Sequence, residues 1–126
     1  MTNLDFIGIG QYERIFVTTA SREQLVLLLY EGAIRFIRRA RDAMAVGNRA
    51  GKGRYISKAT NILTELIATL DHKVGGELAE DLENLYVYLI DKLIEGNIKE
   101  SPMCLEEVEQ VLTILLDGWS GIVKKP

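Results

Sequence analysis

Few residues in this chain could do nucleophilic or metal chemistry: there is one cysteine, Cys104, and one histidine, His72. A cysteine nucleophile needs a base within hydrogen-bond reach. In an up-and-down helical bundle these two positions fall at opposite ends, roughly 30 Å apart for helices of about 20 residues. A di-iron site needs Glu-x-x-His on two helices, which one histidine cannot supply. We therefore expect no catalytic residue, no metal site and no cofactor. Cys104 is predicted to fill the core and His72 to be a surface cation at a helix end.

The glycine-rich segment GNRAGKG, residues 47–53, invites comparison with a phosphate-binding loop. The P-loop pattern G-x-x-x-x-G-K-[ST] needs one more residue between its glycines, a hydroxyl residue after the lysine and a preceding strand. Here Lys52 is followed by Gly53 and no strand pattern precedes it. The segment predicts a connection between helices.

The charge balance argues against a nucleic-acid partner. The chain has 15 Lys and Arg against 18 Asp and Glu, a net charge of −3, whereas nucleic-acid-binding domains usually carry a basic excess. Four arginines nevertheless cluster, and we interpret them as a solvated helix face that pairs with Glu31 and Asp42. This cluster consists of Arg35, Arg38, Arg39 and Arg41.

The sequence also predicts a cytoplasmic location. A single cysteine excludes an internal disulfide and fits a reducing compartment. The first residues, MTNLDFIGIG, lack the basic start and apolar core of a signal peptide. No stretch approaches the roughly 20 apolar residues of a membrane span, so no membrane insertion is expected.

Apolar residues recur at helical spacing in four patterns. These predict an all-α fold, an antiparallel up-and-down four-helix bundle over residues 19–126, preceded by a flexible N-terminal arm or short helix over residues 1–18. The predicted helices cover residues 19–44, 52–72, 77–95 and 101–123.

Local signals mark the predicted helix ends. Ser21 and Gln24 can form a capping box at the first start, and Pro102 suits the first turn of the fourth helix. Gly75 and Gly76 are predicted to end the second helix with a left-handed cap, and Gly96 to end the third.

The first and third helices carry more apolar residues than one buried face needs. On the third, the predicted core stripe is Leu78, Leu82, Leu85, Leu89 and Leu93. Further apolar residues widen the arc to roughly 200°, against the ≳100° that a core-facing helix uses. The surplus admits three interpretations: a centrally buried third helix, a homodimer interface, or an exposed track that accepts the amphipathic helix of another protein. Off the core stripes lie Leu27, Leu28, Tyr30 and Ile34 on the first helix, and Tyr86, Val87, Ile90 and Ile94 on the third.

Several segments together resemble the flagellin-specific export chaperones of the FliS family. They are Tyr12, TAS at residues 19–21, LLYEGAIRFI at residues 28–37, GGELAEDLENLY at residues 75–86, and Trp119. The chain departs from the family pattern in having Arg22 where proline usually follows TAS. Its first ten residues also differ from the usual tyrosine-rich leader.

The resemblance implies a non-enzymatic cytoplasmic chaperone. It would bind the C-terminal region of flagellin, prevent premature polymerisation and aid delivery to the flagellar type III export apparatus, with other flagellar export or regulatory proteins as further partners. The arm would cover the empty site through Tyr12. The predicted partner-binding residues are Tyr12, Leu27, Leu28, Tyr30, Ile34, Tyr86, Val87, Ile90 and Ile94, with Tyr55 and Ile62 as further groove residues.

A histidine phosphotransfer bundle is the other functional class to consider. Such domains carry an exposed histidine in mid-helix, with lysine and glycine downstream. Here His72 is followed directly by Lys73, and glycines follow at residues 75 and 76. The lysine is adjacent instead of a turn away, so it points elsewhere, and the match is weak.

Overall fold

The computed structural model describes residues 21–122, which form four helices. They are α1 (Arg22–Ala45), α2 (Arg49–Ala68), α3 (His72–Lys99) and α4 (Pro102–Ile122). Each helix packs against two neighbours, α1 against α2 and α4, and α3 against the same two. Because the connections are only two or three residues long, successive helices run in opposite directions. The predicted all-α four-helix bundle is confirmed, whereas the predicted arm, residues 1–18, lies outside the described residues.

Side chains at the predicted positions begin α1 and α4. The Gln24 amide donates to the Ser21 hydroxyl at 3.2 Å, and the Ser21 amide donates to the Gln24 side-chain oxygen at the same distance. The Cys104 amide donates to the Ser101 hydroxyl, 3.3 Å away, in the first turn of α4. Each contact satisfies an amide that has no partner inside its own helix.

The connections on either side of α2 differ from the prediction. Asn48 caps α2 by accepting from the Gly51 amide at 2.9 Å. As a result α2 begins at Arg49, three residues before the expected start, and Gly51 and Gly53 lie inside it.

The end of α2 also comes early, at Ala68, because Asp71 starts the next helix. The Asp71 carboxylate accepts from the amides of Lys73 and Val74, both at 3.1 Å. The predicted left-handed glycine is present at Gly76 (φ 51°), but it kinks α3 instead of ending α2. His72 therefore lies at a helix start, where its Nε2 is 2.9 Å from the Glu83 carboxylate, and not at the predicted helix end.

The prediction that Gly96 ends the third helix is wrong. The helix continues to Lys99, and Glu100 supplies the left-handed cap (φ 51°, ψ 52°). Gly96 is buried where α3 meets the start of α4. A Cβ there would lie 2.5 Å from Leu105 Cδ1 and 2.9 Å from Cys104 Cβ, both closer than real contacts allow. Glycine at this position permits close approach of the two helices.

The core runs along the bundle axis and contains most of the predicted stripes. On α3, however, the predicted stripe is only half buried: Leu89 and Leu93 are fully covered, Leu82 and Leu85 are half-buried, and Leu78 is exposed. Largest among the fully buried side chains are Tyr30, Tyr86, Ile37, Leu63, Leu66, Leu89, Leu93, Leu105, Leu112 and Val108.

We predict that Gly96→Ala lowers the free energy of unfolding by about 1–2 kcal/mol, because overpacking outweighs the gain in helix propensity. The matched control is Gly118→Ala on α4, where a Cβ meets nothing within 4 Å. This control should be neutral or stabilising. Chemical denaturation of both variants checks the prediction, and equal stabilities would show that Gly96 is not needed for the close approach.

Candidate functional site

Polar contacts to both neighbours orient α3. On one side, the Tyr88 hydroxyl donates to the Glu107 carboxylate of α4 at 2.5 Å, and the Lys92 ammonium lies 3.9 Å from the same carboxylate. On the other side, the Lys52 ammonium of α2 donates to the Asn97 carbonyl at 3.1 Å. These contacts determine which residues of α3 the other helices leave uncovered.

A row of apolar residues on the α2 side of α3 is uncovered. Val87 is 43% exposed, Ile94 46% and Ile98 76%, and Ile90 between them is half-buried. At 100° per residue these four positions share one flank, on the side away from Tyr88. We call Val87, Ile90, Ile94 and Ile98 the apolar row. At a rise of 1.5 Å per residue it is about 16 Å long, which is three helical turns.

On α2, helical spacing places two threonines on the flank nearest this row. The Thr60 hydroxyl donates to the Ser57 carbonyl at 2.9 Å, and the Thr64 hydroxyl to the Thr60 carbonyl at 3.0 Å. Because both hydroxyls bond within their own helix, the methyl groups are available for apolar contact. The uncovered surface between α2 and α3 is therefore less polar than its residue types suggest.

The structure divides the predicted partner-binding residues that it describes into three groups, which are exposed, half-buried and buried. Val87 and Ile94 are exposed as expected, and Leu28, Tyr55 and Ile90 are half-buried. Tyr12 lies outside the described residues. The expected exposure of the remaining five is wrong, because their side chains fill the core; these are Leu27, Tyr30, Ile34, Ile62 and Tyr86.

A hydrogen-bonded network explains how two tyrosines are accommodated in the core. The hydroxyls of Tyr30 on α1 and Tyr86 on α3 bond to each other across the bundle, and the Trp119 indole N–H donates to the Tyr30 oxygen at 3.0 Å. Burial raises the pKa of both phenols above the usual value of 10.0. A helical wheel treats tyrosine as a half-polar residue that belongs on the surface. It cannot show that two tyrosine hydroxyls hydrogen-bond to each other in the core.

An apolar cleft opens beside this network, where α1 and α3 begin and α4 ends. Its volume is about 400 Å³. Its walls include Tyr86 and Trp119 from the network, and its rim is formed by three exposed side chains, Val74, Leu78 and Ile122. Helical spacing predicts Leu78 in the core and does not predict the cleft. The prediction for Leu78 is wrong, because α3 begins early, at His72, and carries Val74 and Leu78 to the end of the bundle.

The described residues also bear on the catalytic and metal predictions. His72 begins α3 and Cys104 lies just beyond its other end, so the two side chains are on opposite ends of the bundle. Between residues 21 and 122, no three His, Cys, Asp or Glu side chains come together in a way that could hold a metal ion. Within the same range, no helix has the length and apolarity to cross a membrane.

The geometry defines a small four-helix bundle with a polar network inside and an uncovered apolar row and cleft outside. Residues 8–126 match the family model for the flagellar protein FliS. The chain is 37% identical to the flagellar secretion chaperone FliS of Salmonella typhimurium, covering 94% of this chain and 91% of that one. It is 36% identical to the flagellar secretion chaperone FliSB of Pseudomonas aeruginosa, over 89% of this chain and 92% of the relative. For FliS of Bacillus subtilis the identity is 34%, over 90% and 84%.

The chain belongs to the FliS family of flagellar secretion chaperones. The resemblance found in the sequence is thereby confirmed.

We predict that the bundle loses stability as the pH rises above about 10, the ordinary pKa of tyrosine. The folded state keeps Tyr30 and Tyr86 protonated while the unfolded chain releases these protons. Each such phenol should therefore contribute a slope of up to about 1.4 kcal/mol per pH unit.

Urea melts from pH 8 upward check this prediction. The slope should become shallower in the Tyr30→Phe/Tyr86→Phe double variant and stay unchanged in the control Ile114→Ala, an exposed position that keeps both phenols. An unchanged slope in the double variant would show that these phenols ionise equally in both states.

Proposed function

We propose that this chain binds the C-terminal helical region of flagellin in the bacterial cytoplasm, keeps it from polymerising and delivers it to the flagellar type III export apparatus. On this account it acts by binding and is not an enzyme. Family membership supports a flagellar export role in general. The observation that carries the specific proposal is the apolar row on α3, with Val87 and Ile94 exposed.

The row has the form that an amphipathic guest helix needs. Its members are spaced by three or four residues, so they present one continuous stripe to the i, i+3, i+4, i+7 face of a partner helix. Polar residues, Asn84 and Asp91, lie beside the stripe and keep the empty surface solvated. Flagellin's terminal segments are amphipathic helices that pack in the filament core, and would expose apolar surface before export.

Histidine phosphotransfer has less support. A phosphoryl acceptor in such bundles is exposed in mid-helix, whereas His72 is the first residue of α3 and is paired with Glu83 at 2.9 Å. The lysine beside it, Lys73, belongs to the capping turn held by Asp71. No contact of His72 favours a phosphoryl group over the carboxylate already there.

We predict that Ile94→Asp weakens the complex with the same organism's flagellin about tenfold or more. The apolar burial of one isoleucine stabilises by about 1.5–3 kcal/mol, and a carboxylate adds a desolvation cost. The matched control is Ile114→Asp, an exposed isoleucine on α4 (69%). Co-expression followed by titration calorimetry measures both variants, with the helical melt as the folding check.

Three results would contradict the proposal: no soluble complex with flagellin, a complex that survives deletion of flagellin's C-terminal segment, or equal losses in the Ile94 and Ile114 variants. Light scattering distinguishes this proposal from a homodimer that uses the same apolar row. We expect a monomer across micromolar concentrations, and a dimer that Ile94→Asp dissociates would assign the row to a second copy of the chain.

A further inference from the structure

Positive charge is concentrated in one short part of the chain. Eight of the fifteen Lys and Arg lie between residues 35 and 58, with Asp42 as the single acidic residue in that span. By contrast, residues 71–122 contain twelve Asp and Glu against three Lys. The bundle is therefore acidic overall but has one cationic flank, formed by α1 and α2.

Half of these eight cations are used to join helices. Arg38 and Arg41 pair with Glu109 of α4 at 2.6 and 3.0 Å, which corrects the predicted pairing of these two with Glu31 and Asp42. Arg49 and Lys52 lie 3.1 and 4.0 Å from Glu100, at the end of α3. All four cations are therefore paired with carboxylates within the fold, and Arg41 also lies 3.7 Å from Glu106.

Three of the other cations surround a stacked aromatic pair. The rings of Phe36 and Tyr55 stack with centroids 6.2 Å apart and an interplanar angle of 22°. Around them we define the cationic patch as Arg39, Arg54 and Lys58. Arg39 and Lys58 lie 5.9 and 5.6 Å from the Phe36 centroid, and Arg54 is 5.5 Å from that of Tyr55.

The positive charges of the cationic patch repel one another, and carboxylates within the fold do little to offset them. Between residues 21 and 122, no carboxylate lies within ion-pair distance of Arg39, Arg54 or Lys58. Cation–π contacts hold the heads near the rings but leave their outward N–H groups able to donate. Like charges gathered in this way are stabilised when an anionic group binds.

We propose that the cationic patch docks an acidic helical segment of a protein partner, on a surface separate from the apolar row. Two of its cations, Arg54 and Lys58, form an i, i+4 pair, which matches glutamates at the same spacing on one face of a helix. Nucleic acid fits less well. Phe36 is only 5% exposed and so offers no face for base stacking, and the acidic α3 and α4 repel a long polyanion.

The test uses a fluorescein-labelled helical peptide with glutamate at every fourth position. Fluorescence anisotropy at low salt measures its binding to the full chain, with a glutamine version of the peptide and a uridine oligonucleotide as comparison probes. Arg39→Gln/Lys58→Gln should weaken binding of the glutamate peptide about fivefold, as expected for two exposed ion pairs. Lys73→Gln/Lys99→Gln removes the same charge elsewhere and should change binding less than about twofold.

Three outcomes would overturn the proposal: equal weakening by both double variants, equal binding of the glutamate and glutamine peptides, or tighter binding of the oligonucleotide that the patch variant abolishes. Circular dichroism melts confirm that both double variants fold. If the patch variant does not fold, Arg54→Gln is used instead, and unchanged peptide binding by that variant overturns the proposal equally.

Discussion

The packing of α3 limits what the rest of the bundle can cover. A helix in a four-helix ring contacts two neighbours and faces one across the axis, so only part of its circumference is buried. On α3 that part holds Tyr86, Leu89, Leu93 and Gly96. Because its apolar arc is wider than this, Val87, Ile94 and Ile98 remain outside. The uncovered apolar row, which we propose binds the guest, is thus a consequence of excess apolarity on a helix that the bundle cannot enclose.

Two kinds of contact set the rotation of α3 that exposes this particular row. Inside, the Tyr30–Tyr86 bond and the close approach at Gly96 bring one face to the axis. Outside, Glu107 holds Tyr88 on the α4 side. The same contacts leave the cleft beside Trp119 at one end. A rigid, internally satisfied frame therefore presents two uncovered apolar surfaces, while the charges of α1 and α2 occupy a different flank.

Local signals in the sequence predicted the fold class and the starts of α1 and α4, because Ser21 and Pro102 act within one turn of their own helix. Predictions that depended on packing against neighbouring helices were less successful. Glycine was interpreted as a helix end at Gly96, where it serves packing against Cys104. Tyr30, Tyr86 and Ile34 were placed on a surface because a helical wheel gives relative angles but not which angle faces the axis. The arginine cluster was predicted to be solvated because the pattern of one helix does not show the partners of these side chains. One partner, Glu109, lies on another helix, and the other, the Phe36 ring, lies within the same turn.

The central claim is that the α3 row is open in the free chaperone and covered by a guest. Maleimide labelling of Ile94→Cys, in a Cys104→Ala background, measures this directly, with Ile114→Cys as the reference thiol. The account predicts rapid labelling at both positions in the free chain, and protection at position 94 alone when the C-terminal segment of flagellin is bound. A thiol at 94 that is unreactive in the free chain, or equally reactive with and without flagellin, would contradict it.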